Sequence, residues 1–556
     1  MPVITLDRDR FCRFLKREIS VKEMARWLPW LGLDIEDVGE NYVKVEFNPN
    51  RIDFCSHAGL ARAFKGLRGW ETGMPTYETK EGNIVIKVDP SVSKVRPYVL
   101  GAVIRNLKLD EEDVRELMEM QEDLHWGLGR DRRKASIGIH NLDNIEPPFL
   151  YTTGEPDEVR FVPLGMKEEM SMREILERHE KGIAYRHLIE WSPRYPVILD
   201  NLGRVLSMPP IINGELTRVD SQTENLFIDI TGTSMEAVNK SLNVLVTALS
   251  DMGGTIETIT VKYPNQTLTS PNLSPQKSTL RMNYARKMLG LNLSEAETIK
   301  CLKKCRLDVK SVGKGVLEVL IPPYRIDILH EIDLVEEVAL GYGYYRLKPT
   351  IPPTITSGQR HILSELANHV RQIMIGLGFT EVVNFILTTE DIQYRRMRRR
   401  AKELIKLANP VSAECSIARE SLLPGIMRNL MDNKHEKYPQ RIFEVSDVIK
   451  INERMETRTE RRLHLAAASA HASANFTEIK SYLEALLTNL GLRDWNVKET
   501  RDPSFIPGRA AAIYVGKRKI GIVGEIHPEV LNNFELENPV GAFEIDLQRI
   551  RLKKEI

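Results

Sequence analysis

The stretch Ile321–Tyr344, IPPYRIDILHEIDLVEEVALGYGY, decides the fold because an earlier part of the chain repeats it. Shifting the sequence by 274 positions aligns this stretch without a gap to Phe47–Trp70, FNPNRIDFCSHAGLARAFKGLRGW. Over the 56 pairs from Leu15/Leu289 to Trp70/Tyr344, 15 are identical, whereas average residue usage predicts about 3 or 4. The sequence therefore contains an internal duplication. Each copy is predicted to form an amphipathic helix, a turn marked by Gly, a short strand and a second helix.

The two copies differ in charge where the second helix begins. Three acids of the second copy replace residues of the first that are not acidic: Asp333 (Gly59 in the first copy), Glu336 (Arg62) and Glu337 (Ala63). Positions i, i+3 and i+4 share one helical face, and the shared Asp327 precedes this helix. Four carboxylates together favour a bound cation, for which Mg²⁺ is the expected choice over Ca²⁺. The alternative is an acidic first turn that stabilises the helix dipole.

The composition is that of an ordinary globular protein, with 556 residues, 42% hydrophobic and 28% charged. The net charge of +1 excludes a general electrostatic attraction to nucleic acid, so any contact with RNA must come from local patches. The chain shows neither a run of 18 apolar residues nor an apolar leader, and we expect a cytoplasmic protein without membrane contact.

The most distinctive polar stretch, residues 195–233, lies between the two copies. Two predicted strands within it end in small polar residues, the first in SMPP and the second in DITGT. Asp229 and Thr231 share one face of a strand, so a carboxylate and a hydroxyl point the same way. The alternative for Thr233, and to a lesser degree for Asp229, is to cap the helix predicted to begin near Met235.

A basic run, Arg130–Lys134, precedes a predicted strand that contains His140. Such a run is usually a solvated loop. Contact with a polyanion such as RNA is the alternative, because several cations lie within five residues.

Five motifs, in a fixed order, resemble those of phenylalanyl-tRNA synthetase β subunits of the archaeal and eukaryotic-cytosolic type. They are NPNRIDFCSHAGLARAF, LSMPPIIN with FIDITGT, PPYRIDILHEIDLVEEVALGYGY, SLLPGIMRNLMDN with RIFEVSDVI, and PGRAAAIYVGKRKIGIVGEIHPEVL. The resemblance covers essentially the whole chain. It implies a multidomain α+β fold with a first repeat module (B1) at 1–80 and a mixed α/β editing domain (B3/B4) at 84–262. The second repeat module (B5) is expected at 279–347, and a class II synthetase-like antiparallel sheet with flanking helices (B6/B7) at 358–556.

The resemblance also implies a division of labour. Family β subunits act with an α subunit in an (αβ)₂ heterotetramer, in which the α subunit uses ATP to activate phenylalanine for attachment to tRNA(Phe). The C-terminal region agrees, because its third-motif segment GAFEIDLQRI lacks the Gly-x-Gly-x-x-x-Arg arrangement that would hold a phosphate. We therefore expect no ATP on this chain's own core.

The resemblance assigns a second chemistry, hydrolysis of tyrosine wrongly attached to tRNA(Phe). A pocket shaped for phenylalanine cannot strongly exclude an analogue that only adds a hydroxyl, so a separate site is needed. The residues expected to line this site are Ser207, Asp229, Thr231, Asn213 and His140, with a positioned water as the attacking group. In the second copy, the magnesium site of the family matches Asp327, Asp333, Glu336 and Glu337.

Two other functions are compatible with the sequence. A free-standing hydrolase of mischarged tRNA is favoured by the FIDITGT segment, and a non-catalytic tRNA-binding or assembly protein by the degenerate synthetase core.

Overall fold

The structure is a computed structural model that describes residues 2–352, 356–401 and 403–550. It divides into two compact units, Met1–Ile351 and Pro352–Ile556. Both units combine helices with mixed or antiparallel sheets, which confirms the predicted α+β class. Among the described residues, no helix combines the length and the apolar character needed to cross a bilayer.

The first copy of the duplicated module forms a three-stranded sheet of order β1-β3-β2 with three helices. Its elements are β1 (Val3–Asp7), α1 (Arg8–Leu15), α2 (Val21–Trp27), β2 (Asp34–Val38), β3 (Tyr42–Glu46) and α3 (His57–Leu67). Ser20 and Glu23 form a capping box that begins α2, since each satisfies a backbone N–H that the first helical turn leaves free.

The central part of the first unit is a ten-stranded sheet, in which nine strands follow the order β12-β11-β10-β7-β4-β14-β5-β13-β6 and β15 pairs with β14. The first elements are β4 (Thr79–Val88), β5 (Tyr98–Arg105), α4 (Glu111–Trp126), β6 (Ala135–Asn141), β7 (Phe149–Gly154), β8 (Arg160–Phe161), β9 (Met170–Ser171), α5 (Met172–Arg178) and α6 (Glu180–Tyr185). The remaining elements are β10 (Tyr195–Leu199), β11 (Val205–Met208), β12 (Ile212–Asn213), β13 (Leu226–Gly232), α7 (Met235–Asp251), β14 (Thr255–Lys262) and β15 (Thr267–Ser270).

Strand β13 lies between β5 and β6 and is buried over its whole length. The central sheet extends from Thr79 to Ser270, and the boundaries drawn from the sequence for this domain stay predictions.

The second copy repeats the topology of the first, with the sheet order β16-β18-β17. Its elements are β16 (Gln276–Arg281), α8 (Met282–Leu289), α9 (Glu295–Lys304), β17 (Asp308–Gly313), β18 (Val316–Ile321) and α10 (Glu331–Tyr342). The shift of 274 positions places α1 on α8 residue for residue. Ser294 and Glu297 form the same capping box as Ser20 and Glu23, so these identical pairs are explained by helix initiation.

The second unit is a seven-stranded sheet of order β19-β22-β23-β27-β26-β25-β24 with helices on both faces. Its first elements are α11 (Ile362–Gly376), β19 (Thr380–Glu381), β20 (Leu387–Thr388), β21 (Ile417–Ala418), α12 (Leu423–Asp432), β22 (Gln440–Ile451) and β23 (Thr459–Ala470). They are followed by α13 (Phe476–Asn489), β24 (Trp495–Glu499), β25 (Phe505–Val515), β26 (Arg518–Ile526), α14 (Pro528–Asn533) and β27 (Val540–Asp546). The pairs from β22 to β24 are antiparallel, and the short β20 and β21 pair separately.

Candidate functional site

A cavity of about 590 Å³ lies beside β13 in the central domain. Its walls come from α4, from β6, from the turn after β11 and from the start of α6. Three of the five residues predicted for this site line the cavity, namely Ser207, Asn213 and Asp229. The volume is within the range of pockets that bind small molecules.

Asp229 is buried and held by a hydrogen-bonded chain. Its Oδ2 lies 2.7 Å from Nε2 of His140, and Nδ1 of His140 lies 2.8 Å from Oγ1 of Thr217. The carboxylate and the imidazole are 1% and 0% exposed, and burial of such groups is tolerated only when they are paired. His140 therefore fixes one oxygen of Asp229 and leaves Oδ1 for a ligand.

Gly138 makes the contact between Asp229 and His140 possible. It lies opposite Asp229 in the register of β6 and β13. A Cβ at this position would lie 2.3 Å from Oδ2 of Asp229 and 2.7 Å from Nε2 of His140. Only glycine leaves room for the pair, because the clash would involve both partners at once.

Thr231 lies on the same strand face as Asp229 but is occupied by protein contacts. Arg96 donates from Nε to Oγ1 of Thr231 at 2.9 Å and from Nη2 to its carbonyl oxygen at 2.8 Å. Oγ of Ser136 also lies 3.0 Å from Oγ1 of Thr231. Burial lowers the pKa of Arg96 to about 10, which leaves the guanidinium charged at neutral pH. Nothing in the sequence around Arg96 indicated this role.

Ser207 and Asn213 face each other across the β11–β12 pair. Asn213 donates from Nδ2 to the carbonyl oxygen of Ile139 at 3.1 Å. Ser207 is 2% exposed, and within the described residues its Oγ has no hydrogen-bond partner. Since buried polar groups are nearly always paired, this hydroxyl marks a position where a ligand or a water completes the site.

The cavity also contains charged residues that the sequence did not assign to it. They are Glu122, Arg132, Glu180, Lys181 and Arg218. Oε1 of Glu122 accepts from Nη2 of Arg132 at 2.7 Å and from Nζ of Lys181 at 3.3 Å. The one signal in the sequence was the basic run Arg130–Lys134, which contains Arg132.

The four acids of the second copy lie close together, but most of their oxygens are occupied. Arg325 donates from Nη2 to Asp327 at 2.7 Å and to Glu337 at 2.6 Å. Oδ2 of Asp333 accepts from the backbone N–H groups of Leu329 and His330, both at 2.7 Å. Asp333 therefore caps the start of α10 with its side chain.

Glu336 is the member of the acidic cluster that makes no hydrogen bond or ion pair among the described residues. Burial and the negative charges of Glu337, Asp327 and Asp333 raise its pKa. Asp327, Glu336 and Glu337 line one cleft of about 150 Å³. Among the described residues, however, no group of three or more acidic, His or Cys side chains is arranged to hold a metal. As they lie, these side chains do not fit Mg²⁺, because Arg325 and the helix cap already satisfy three of the four carboxylates.

The first copy shows what the duplicated motif does without the extra acids. Arg51 donates from Nε and Nη2 to the two oxygens of Asp53 at 2.9 and 3.0 Å, as Arg325 does to Asp327. At the position that matches Glu336, Arg62 donates to Asp251 at 2.7 Å and lies 3.6 Å from the ring centre of Tyr324. The shared Arg-Ile-Asp motif therefore serves the fold of each copy.

In the second unit, the first six residues of the segment GAFEIDLQRI lie in β27 and contribute a buried structural carboxylate. Glu544 accepts from Nδ1 of His464 at 2.6 Å, from Oγ of Ser421 at 2.5 Å and from the N–H of Leu423 at 3.1 Å. Burial alone would raise the pKa of Glu544, but these hydrogen bonds and the charge of His464 lower it to about 2. Glu544 therefore joins β23, β27 and the start of α12.

Acidification is predicted to weaken the second unit through Glu544. Because its pKa is lowered on folding, its contribution to stability is present above about pH 4.5 and is lost as the pH falls towards 2. Glu544→Gln should lower the free energy of unfolding by about 3–5 kcal/mol at pH 7, because it breaks a buried pair. The difference from the wild type should shrink at pH 3.

Denaturant unfolding at the two pH values measures this effect, with Glu456→Gln as the control at an exposed acid of the same unit. The control should change stability by less than about 0.5 kcal/mol. A wild-type to Glu544→Gln difference that stays constant from pH 7 to pH 3 would contradict the assignment.

Comparisons with known proteins give consistent matches. The model of the phenylalanyl tRNA synthetase beta chain CLM domain matches residues 347–547, and that of the tRNA synthetase B5 domain matches residues 278–344. The phenylalanine–tRNA ligase beta subunits of Methanothrix thermoacetophila and Archaeoglobus fulgidus are each 44% identical over 550 residues. These alignments cover 98% of this chain and 100% and 98% of the two relatives. The crystal structure of an N-terminal fragment of the phenylalanyl-tRNA synthetase beta subunit from Pyrococcus horikoshii matches with a TM-score of 0.60 and 38% identity, and the match covers 61% of this chain and 99% of the fragment.

Proposed function

The chain belongs to the family of phenylalanine–tRNA ligase beta subunits, and from that premise we propose that it hydrolyses Tyr-tRNA(Phe) in the cavity beside β13. With an α subunit, in an (αβ)₂ heterotetramer of the cytoplasm, it supports the attachment of phenylalanine to tRNA(Phe). The observation that carries the proposal is a cavity that brings together the orphaned hydroxyl of Ser207 and the anchored carboxylate of Asp229.

The cavity has the parts that ester hydrolysis with selection for tyrosine requires. His140 holds Oδ2 of Asp229, so Oδ1 accepts a hydrogen bond from the tyrosyl hydroxyl or from the amino group of the substrate. Phenylalanine offers no hydroxyl, and a site built to bind a hydroxyl discriminates well against an analogue that lacks it. Ser207 places the ester or the attacking water, which adds to the ester carbonyl without a covalent enzyme intermediate.

The partition of activities between the subunits is testable with the purified chain. Alone, it is predicted to form no Phe-tRNA from ATP, phenylalanine and tRNA(Phe), because charging requires the α subunit. After addition of the α subunit, charging should appear, and Tyr-tRNA(Phe) should be deacylated. Both reactions are followed with labelled amino acid on the tRNA. Charging by the chain alone would contradict the proposed partition, and a complex that charges but never deacylates would favour an assembly role.

Asp229→Ala is predicted to separate the two activities of the complex. The substitution removes the carboxylate from the cavity and leaves the second unit unchanged, so charging with phenylalanine should stay close to that of the wild type. Deacylation of Tyr-tRNA(Phe) should fall by about 100-fold or more, in line with loss of a positioned catalytic group. Asp157→Ala is the control, because Asp157 is an exposed acid of the same domain that pairs with Arg173. Unchanged proofreading by Asp229→Ala would remove Asp229 from the site.

We further propose that Mg²⁺ binds the acidic cluster of the second copy when Asp327 and Glu337 turn away from Arg325. The raised pKa of Glu336 supports this, since it reports a concentration of negative charge that a cation relieves. The family of tRNA synthetases generally uses Mg²⁺, and carboxylate oxygens are its usual protein ligands.

Glu336→Gln tests the magnesium proposal without removing either of the carboxylates that pair with Arg325. The substitution should lower the Mg²⁺ content of the dialysed complex, measured by elemental analysis, because an amide oxygen is a weaker ligand than a carboxylate. Glu295→Gln, in the first turn of α9, is the matched control. Equal metal content in both variants and the wild type would leave the cluster with its structural role of capping α10 and pairing Arg325.

A further inference from the structure

A second cavity, of about 370 Å³, lies within the second unit. Its walls come mainly from β22, β23, β26 and β27 of the seven-stranded sheet, from the segment 393–399 and from the start of α12. No residue of this lining contributes to the cavity beside β13. The volume is within the range of sites that bind small molecules, so the second unit has room for a ligand of its own.

Two buried polar atoms of this lining have no partner. Nδ1 of His464 lies 2.6 Å from Oε1 of Glu544, whereas Nε2 of His464 has no hydrogen bond among the described residues. Oδ2 of Asp546 lies 4.0 Å from Nε2, which is too far for a hydrogen bond. The hydroxyl of Tyr394 is also buried without a partner in the described part of the chain. His464 is 5% exposed, and buried polar groups are nearly always paired, so both atoms mark positions that a ligand or a water completes.

Most charges of the lining are neutralised by protein partners. Arg399 donates from Nη2 to Asp502 at 2.9 Å, and Nε of Arg549 lies 3.2 Å from Oδ2 of Asp546. Glu544 pairs with the imidazole of the β23 histidine described above. These three ion pairs shape the wall of the cavity and supply no net charge to a ligand.

The remaining charges of the lining have both signs. The half-buried Glu420 and Lys450 make no hydrogen bond or ion pair of normal geometry within the described ranges, and neither does the side chain of the exposed Lys519. Burial and the nearby carboxylate of Glu420 raise the pKa of Tyr394. A carboxylate and a hydroxyl oxygen therefore lie close together on the wall, where both can accept hydrogen bonds from a cation.

We propose that this cavity binds a free α-amino acid with an apolar or aromatic side chain. The α-ammonium group has three N–H donors, and Glu420 and the hydroxyl of Tyr394 accept from it. Lys450 and the N–H at Nε2 of His464 donate to the α-carboxylate. His464 has this proton because an imidazolium, the charged partner of Glu544, is protonated on both nitrogens.

The lining favours such a ligand over two others. A nucleoside triphosphate would bring several negative charges close to the carboxylate of Glu420, which repels them. A purely apolar ligand would leave Nε2 of His464 and the hydroxyl of Tyr394 without partners. The apolar side chains of Ile520 and Ile522 belong to the same lining. An amino acid with an apolar side chain matches both the polar and the apolar part of the cavity.

Equilibrium dialysis of the full-length chain against radiolabelled L-phenylalanine, in the absence of the α subunit, tests this site. We expect saturable binding, with a Kd that rises about tenfold or more in Glu420→Gln and in Lys450→Met, because each variant loses a charge-assisted hydrogen bond. Glu456→Gln and Lys437→Met are the matched controls at exposed positions of the same unit, and they should bind as the wild type does. Absence of saturable binding, or an equal rise of Kd in the controls, overturns the proposal.

Two analogues test the recognition of both charges. Phenylpropionate lacks the ammonium group of phenylalanine, and phenylethylamine lacks its carboxylate. Each should compete with labelled phenylalanine about tenfold or more weakly than unlabelled phenylalanine does, because one set of charged partners is left unpaired. If either analogue competes as well as phenylalanine, the cavity does not recognise a zwitterion and the proposal is wrong.

Two further variants assign the binding to this cavity. Tyr394→Phe removes a hydroxyl that has no partner in the unliganded chain, so the melting temperature should not fall, whereas the Kd for phenylalanine should rise. Asp229→Ala changes the cavity beside β13 and should leave this Kd unchanged. Binding that is lost in Asp229→Ala and kept in Tyr394→Phe would place phenylalanine beside β13 and overturn the proposal.

Discussion

A buried carboxylate must be paired, and this constraint determines much of the structure. Asp229, Glu337 and Glu544 are 1%, 5% and 7% exposed, and an unpaired charge at any of these positions would cost several kcal/mol. Each carboxylate pairs with a histidine or an arginine from a different element. Asp229 pairs with His140 of β6, Glu337 with Arg325 before α10, and Glu544 with His464 of β23. These pairs fix the register of β13, the start of α10 and the contact of β27 with α12.

The same constraint distinguishes a carboxylate that can bind a ligand from one that only supports the fold. Glu544 accepts hydrogen bonds on both oxygens from the side chains and backbone around it. Among the described residues, Asp229 is held through Oδ2 alone, and it lines a cavity. A carboxylate with one oxygen anchored is already oriented, and its other oxygen can still accept a hydrogen bond. Such a group can bind a substrate with little reorganisation.

Much of the fold can be predicted from the sequence because the chain contains two copies of one module, and residues that are identical in both copies are expected to have the same structural role. Identical pairs such as Ser20 with Ser294 and Arg51 with Arg325 form the same cap and the same ion pair in both copies. Local signals of this kind act over a few residues, so sequence patterns reveal them. Ser207, Asn213 and Asp229 were also predicted for the cavity, but only the resemblance to a family brought them together.

The remaining site residues depend on contacts between distant segments, which local patterns do not encode. Arg96 reaches Thr231 across 135 positions, and Arg132 reaches Ile211 across 79. From the sequence, Arg132 belongs to a basic run interpreted as a solvated loop or as a contact with a polyanion, and no signal marks Arg96, since arginine is seldom fully buried. The acidic cluster shows the converse. Spacing placed three of its carboxylates on one face of a helix, but could not show that Arg325 would pair with Asp327, two residues away in the sequence, and with Glu337, twelve residues away.

The positions at which the copies differ show how one module serves two environments. Arg62 and Glu336 occupy the same place in the repeat, yet Arg62 bonds to Asp251 of the central domain, whereas Glu336 faces a cleft with two other acids. The position shared by Arg62 and Glu336 is not used in the Arg-Ile-Asp pair or in the cap of the helix, whereas the neighbouring Glu337 pairs with Arg325 and Asp333 caps α10. This position could therefore change sign, so that the first copy anchors the central domain and the second concentrates negative charge.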